Sequence, residues 1–336
     1  MKQAIIICND KNAINYVYAK EVLTSIREKV NLYEEVLTKQ DILHHHEITR
    51  KAEIIFSTWG MPHFTASEIE EYFPNLKIVF YAAGSVQHFA REFLNKGVKV
   101  VSSYAANAIP TAEFAACQIV LANKGFFQAT HLVKNKSYWE GRKHTSTFPG
   151  NYNIKIGILG AGMVGSHVIK LLKAMNINAE ILVFDPFLSE ERSQELGVRK
   201  ASLEEIFATC QTISNHLANN EQTQGILNKK HFNLMLDNAT FINTGRGQQV
   251  VEGDLIAALK EKPKRTAVLD VTYPEPPLPD SELYKLPNVI LTPHMAGSSG
   301  NEVIRMAWYA VNELDKWLED KPLSYEVTLK MLETMA

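Results

Sequence analysis

Three glycines and one aspartate near the middle of the chain carry the first chemical signal. The segment GILGAGMVG (157–165) spaces Gly160, Gly162 and Gly165 as GxGxxG, directly after an apolar run that reads as a strand and before a helical pattern. In that setting Gly160 permits a tight turn, Gly162 lets backbone approach a pyrophosphate, and Gly165 lets helix and strand pack closely. The helix start offers free N–H groups and a partial positive charge to phosphates. Asp185 follows at the end of the run ILVF (181–184). A carboxylate there accepts hydrogen bonds from both ribose hydroxyls of NAD and repels the 2′-phosphate of NADP. S-adenosylmethionine enzymes share part of this pattern, so the glycines alone leave the cofactor class open.

A second group of unusual residues lies downstream, in FINTGRGQQV (241–250), LDVTYPEPPLP (269–279) and TPHMAG (292–297). Arg246, Asp270, Glu275 and His294 all fall just past the ends of short apolar runs. In an open α/β sheet, ligands collect beyond the carboxyl ends of the strands. One such residue is more often structural; four at successive strand ends, on the sheet that bears the glycine loop, mark a site.

These residues need two sheets to carry them. Residues 3–8, 53–57, 77–81 and 98–101 read as buried strands separated by helical patterns, which implies parallel βαβ units. A second series follows at 154–159, 181–184, 212–217, 240–244, 267–271 and 289–292. Long helices are expected from about Thr111 to Phe127, with Pro110 at the N-terminal edge, and from about Ser298 to Leu318. The Pro-dense stretch 273–280 reads as an ordered loop.

The 336 residues suit two domains at about 150 residues each. Hydrophobic residues make up 46% and charged residues 21%, as in a globular protein. The net charge of −2 argues against nucleic acid or a membrane surface as partner. No stretch approaches 18 uninterrupted apolar residues, so a membrane span is not expected. Cys8, Cys117 and Cys210 are too few and too dispersed for a disulfide framework or a structural zinc, and a cytoplasmic setting is expected. No metal is expected either: consecutive His44, His45 and His46 do not face one ion. The basic segment 134–143 reads as a solvated connection with Tyr138 and Trp139 as anchors. Cys210 reads as a small buried residue.

Taken together, GAGMVG, the strand-end Asp185, INTGRG, LDV followed by EP, and TPHMAG resemble the D-isomer-specific 2-hydroxyacid dehydrogenases. The resemblance spans nearly the whole chain and is strongest from Asn107 to Gly297. It implies NAD (NADH) as cofactor and a small 2-keto or 2-hydroxy acid as substrate. It implies that Arg246 binds the substrate carboxylate and carbonyl oxygen, that His294 is the acid–base, and that Glu275 pairs with it. The residue types suit the chemistry. A guanidinium polarises a carbonyl oxygen that gains negative charge, an imidazolium donates a proton, and a carboxylate beside the imidazole favours its charged form.

For the cofactor the resemblance implies contacts from Gly160, Ala161, Gly162, Met163, Val164, Gly165 and Asp185. Further contacts are implied for His216, Leu217, Ala218 and Thr223 beside the adenosine, and for Thr244, Gly245, Arg246, Asp270, His294 and Gly297 on the nicotinamide side. Ala218 replaces the usual proline. In the N-terminal part, LKIVFYAAGSVQHF (76–89) resembles the loop whose amides hold the substrate carboxylate, here those of Ala83 and Gly84. Trp59 or Met61 could line the same pocket.

The implied fold is α/β with two parallel-sheet domains, Rossmann-like and flavodoxin-like. A NAD-binding domain (106–296) is inserted into a discontinuous substrate domain (1–105 and 297–336), and a homodimer is implied. Formate dehydrogenases share the scaffold but pair the histidine with Gln, which Glu275 argues against. Two alternatives remain: an NAD(H)-sensing protein of the corepressor type, and a phosphoglycerate dehydrogenase without a regulatory domain. The chain ends soon after the second long helix, so no appended domain is expected.

Overall fold

A computed structural model describes residues 1–335. The chain falls into two compact units, Met1–Ala108 with the residues from Ser298 onward, and Ile109–Gly297.

The first unit holds strands β1 (Gln3–Ile7), β2 (Asn31–Leu37), β3 (Ile54–Ser57), β4 (Ile78–Tyr81) and β5 (Lys99–Ser102). They pair in parallel in the order β5-β4-β3-β1-β2, and a short C-terminal strand, Glu326–Val327, runs antiparallel along β5. Sheet pleating explains why the strands read as unbroken apolar runs. Ala4 and Ile6 of β1, Phe56 of β3 and Phe80 of β4 face helices Lys11–Val17, Lys20–Lys29 and Glu302–Leu318. Ile5, Ile7, Ile55 and Val79 join a separate core with Phe64, Phe73, Phe89 and Phe93. Strands buried on both faces need no polar alternation. Phe56 and Phe80 stack with centroids 5.4 Å apart; truncating either to alanine would cost about 3–5 kcal/mol.

The second unit holds β6 (Tyr152–Leu159), β7 (Asn178–Phe184), β8 (Arg199–Lys200), β9 (Thr212–Asn215), β10 (Thr240–Asn243), β11 (Thr266–Leu269) and β12 (Val289–Leu291). All pair in parallel, in the order β12-β11-β10-β9-β6-β7-β8. From β6 the chain first builds outward through β7 and β8, then returns to add β9 on the other side. The adjacent carboxyl ends of β6 and β9 are therefore the topological switch point, where this architecture opens a crevice for a ligand.

Three features differ from expectation. The first long helix is Tyr104–Asn123 and contains Pro110 in its interior. Six alanines between 105 and 116 favour helix strongly enough to offset the hydrogen bond that proline removes. This helix is long and apolar enough by composition to cross a membrane, but 61% of it is buried in the fold. The second long helix begins at Glu302, not Ser298. The basic segment is not a connection with anchored aromatics. It lies in the helices Phe126–Asn135 and Tyr138–Thr145, with Tyr138 62% and Trp139 75% exposed. The two helices meet at Gly141, whose added Cβ would come within 2.4 Å of Val133. That contact leaves Tyr138 and Trp139 in solvent.

Candidate active site

The dinucleotide loop is assembled at the switch point. Gly160 ends β6 with φ +88, and a Cβ there would lie 2.7 Å from the carbonyl oxygen of His216, just past β9. Gly165 opens the helix Met163–Ala174 so close beneath the turn that its Cβ would lie 1.9 Å from the Gly160 carbonyl oxygen. An added Cβ on Gly162 meets nothing within 4 Å, and no side chain caps the helix there. Gly162 thus leaves space beside uncapped first-turn amides, as a pyrophosphate requires. The Ala161 N–H donates to Asp185 Oδ2 at 2.8 Å and the Phe187 N–H to Oδ1 at 2.8 Å. Each carboxylate oxygen keeps a lone pair for a ribose hydroxyl. The loop, the helix start and the carboxylate fit NAD.

The segment after β9 is tied down from within. His216 is partly buried, with Nε2 2.9 Å from Ser214 Oγ and Nδ1 3.2 Å from Thr244 Oγ1. Burial pulls its imidazole down to about 3, so the ring is neutral. The Thr223 hydroxyl donates to the Ala218 carbonyl at 2.7 Å and accepts from the Asn220 N–H at 3.0 Å. Its first role is to close the loop. The Gln249 side-chain amide donates to the carbonyls of Leu217 at 2.8 Å and Ala218 at 2.9 Å. These bonds set the loop's path without the proline.

The catalytic candidates sit on three neighbouring strand exits. Arg246 follows β10, Asp270 and Glu275 follow β11, and His294 follows β12. Asp270 is buried and organises the last loop. Its Oδ1 accepts from Thr292 Oγ1 at 2.7 Å and from the Met295 N–H at 2.8 Å, and its Oδ2 accepts from the Ala296 N–H at 3.0 Å. The Asp270 carbonyl takes the His294 N–H at 3.0 Å. These bonds bracket His294, which is held at φ +52, a conformation that costs a non-glycine residue on the order of 1–3 kcal/mol.

Glu275 stands between two prolines and places Oε1 2.6 Å from Nδ1 of the half-exposed His294. An ionised carboxylate only accepts, so Nδ1 carries the hydrogen and Nε2 is left to exchange a proton. Burial pulls the Arg246 guanidinium below its ordinary value, and the Glu275 charge opposes that shift. Arg246, Glu275 and His294 thus form one electrostatic cluster.

In the first unit Ala83 is buried and Gly84 partly so. Ser102 Oγ donates to the carbonyls of Ala83 at 3.0 Å and Gly84 at 2.6 Å. Their own amides donate to no group among the described residues. Met61 is part of the core, whereas Trp59 is 38% exposed just past β3. Cys210 is buried and its thiol is pushed up to about 12, which removes it as a nucleophile.

A buried trio escaped sequence reasoning: Asn215, Asn243 and Gln249 are all fully inaccessible. Asn215 Nδ2 donates to Asn243 Oδ1 at 3.0 Å and to Gln249 Oε1 at 2.6 Å. The available signal was an asparagine ending each of the two central apolar strands, where a buried amide demands a partner.

The family model for the D-isomer specific 2-hydroxyacid dehydrogenase NAD binding domain matches residues 117–296, more than half of the chain. The glyoxylate reductase of Korarchaeum cryptofilum is 32% identical over 244 residues, covering 72% of this chain and 73% of that protein. The chain belongs to the D-isomer specific 2-hydroxyacid dehydrogenase family. Among other members, D-3-phosphoglycerate dehydrogenase of Archaeoglobus fulgidus is 31% identical over 268 residues, covering 80% of this chain and 50% of that protein. The chain spans half or less of the length of several curated relatives that it matches. D-mandelate dehydrogenase of Rhodotorula graminis, in its apo form, has the same fold with a TM-score of 0.82 at 20% identity, over 97% of this chain and 98% of that one. The two parallel-sheet units are thus the dehydrogenase family's architecture.

Proposed function

We propose that the protein is an NAD-dependent oxidoreductase that reduces a small 2-keto acid to the D-2-hydroxy acid, or runs the reverse reaction. The observation that carries this reading is the 2.6 Å contact between His294 and Glu275, with Arg246 in the field of the same carboxylate. NADH, when bound at the glycine loop, supplies the hydride to C2. Arg246 holds the substrate carboxylate and faces the carbonyl oxygen, where negative charge develops. Charged His294 gives its Nε2 proton to that oxygen, and Glu275 offsets the imidazolium charge until transfer. In the oxidative direction neutral His294 takes the hydroxyl proton. We carry residues 106–296 as the NAD-binding domain, and 1–105 with 297–336 as the substrate domain, where the amides of Ala83 and Gly84 serve the substrate carboxylate.

A homodimer belongs to the same proposal, supported by the exposed Tyr138 and Trp139 on the cofactor-domain helices. A cytoplasmic setting suits three free cysteines, two of them buried. The deciding experiment mixes the protein and NADH with glyoxylate, pyruvate, hydroxypyruvate, 2-ketoisocaproate or phenylpyruvate and follows NADH absorbance. At least one acid should be reduced. His294→Ala and Arg246→Ala should each lower that turnover by about 10²–10⁴-fold while NADH still binds. Tight NADH binding with no oxidation by any acid would favour a nucleotide sensor.

A further inference from the structure

The buried amide of Gln249 stands between the two halves of the candidate site. Its Oε1 accepts from Asn215 Nδ2 at 2.6 Å and from the Arg246 N–H at 3.2 Å. Its Nε2 donates to the carbonyls of Leu217 at 2.8 Å and Ala218 at 2.9 Å. All four hydrogen-bonding positions of one side chain are therefore used, with no water exposure. One pair reaches the arginine's own backbone and the end of β9; the other reaches the loop that follows β9.

The surrounding bonds make the connection stiff. Asn243 Nδ2 donates to the Arg246 carbonyl at 3.3 Å, so the arginine's peptide is held on both sides. Asn215 Oδ1 accepts the Leu217 N–H at 3.3 Å. The Leu227 N–H donates to the Gln249 carbonyl at 3.0 Å, and Asn219 Nδ2 donates to Gln248 Oε1 at 2.8 Å. The segment 217–227 and the segment 246–250 are thus joined by side chain and backbone alike. A partly satisfied buried amide network is costly, so separating these two segments is opposed by every bond between them.

We propose that Gln249 is a positioning residue that fastens the Arg246 loop to the 216–218 loop, coupling dinucleotide binding on one to carboxylate binding on the other. The inference rests on the proposed function, which gives the two loops their ligands. It goes beyond that reading by making the two affinities interdependent. Coupling of this kind is reciprocal: each ligand tightens the other by the same factor.

The test is a binding cycle that needs no turnover. NADH dissociation constants are measured by titration calorimetry with and without saturating oxalate, an unreactive dicarboxylate probe for Arg246. In the wild-type protein oxalate should tighten NADH binding on the order of tenfold. Gln249→Met keeps the length of the side chain but removes all four bonds, and should reduce the factor to below twofold. The Arg246 N–H and the Leu217 carbonyl lose their partner, which will also lower Tm in that variant. A core variant of the same unit that takes part in none of these bonds, Phe232→Leu, should also lower Tm yet keep the tenfold factor. A merely structural glutamine predicts that coupling falls with Tm in both variants alike, and that result overturns the proposal. Wild-type protein that binds NADH and reduces a 2-keto acid, but shows no oxalate coupling, overturns the clamp and leaves the proposed function intact. Wild-type protein that binds no NADH overturns both.

Discussion

Oε1 of Glu275 lies 2.6 Å from Nδ1 of His294, and the same carboxylate acts on the charge of Arg246. In the proposed function, one acidic side chain therefore serves the acid–base and the anion-binding group together. Glu275→Gln preserves the shape but loses the charge. Turnover of the accepted 2-keto acid should fall by about 10²-fold, with the NADH dissociation constant within twofold of wild type. Steady-state kinetics and calorimetry check both. Unchanged turnover would remove Glu275 from the machinery.

Asp270 should matter through geometry. It takes two backbone N–H groups and one hydroxyl from the loop that carries His294. Asn at this position keeps one acceptor and turns an NH₂ group toward a backbone N–H. Asp270→Asn is expected to cost about 1–3 kcal/mol in urea unfolding and to lower turnover by at least tenfold. Full stability with full turnover would contradict the bracketing role.

The glycine loop predicts a contrast between neighbours. A methyl on Gly165 collides with backbone, whereas one on Gly162 enters open space. Gly165→Ala should lose roughly 1–3 kcal/mol of stability or more. Gly162→Ala should unfold like the wild type yet bind NADH at least tenfold more weakly. Thermal melts and NADH titrations separate the two effects.

His216 links acidity to stability. Its imidazole is held near 3 by burial, against an ordinary value of about 6.5 in the unfolded chain. Below about pH 6.5 the unfolded state takes up a proton that the folded state refuses, so stability falls as pH drops from about 6.5 toward 3. The contribution is fully present above pH 6.5. His216→Asn should flatten that acid-side slope in urea unfolding measured at pH 7, 6, 5 and 4. An unchanged slope would show that other groups control it.

Much of this site is legible in the sequence, because its parts are local. A glycine spacing between a strand and a helix, or a charged residue just past an apolar run, is written in consecutive residues. Features set by distant partners are not. Asn215 and Gln249 are 34 residues apart and read as unrelated polar residues until the sheet brings them together. The edge strand Asn31–Leu37 carries Glu34 and Glu35 and leaves part of its length in solvent, so its periodicity is weak. Glu326–Val327 is too short to show a period at all. Pro110 masks the true start of its helix, since its local cost is offset by alanines on both sides.

The strand Glu326–Val327 and the helix Glu302–Leu318 also govern the order in which the chain can fold. Both belong to the first unit, yet the ribosome delivers them only after the whole of the second unit. At roughly 5–20 residues per second, that interval is on the order of 10–40 seconds. During it Ile6, Phe56 and Phe80 lack the Met306, Ala310 and Leu314 side chains that complete their core, and β5 has an open edge. The second unit is contiguous and can close first. The newborn N-terminal sheet thus waits with part of one apolar face and one edge uncovered until the C-terminal helix and strand arrive.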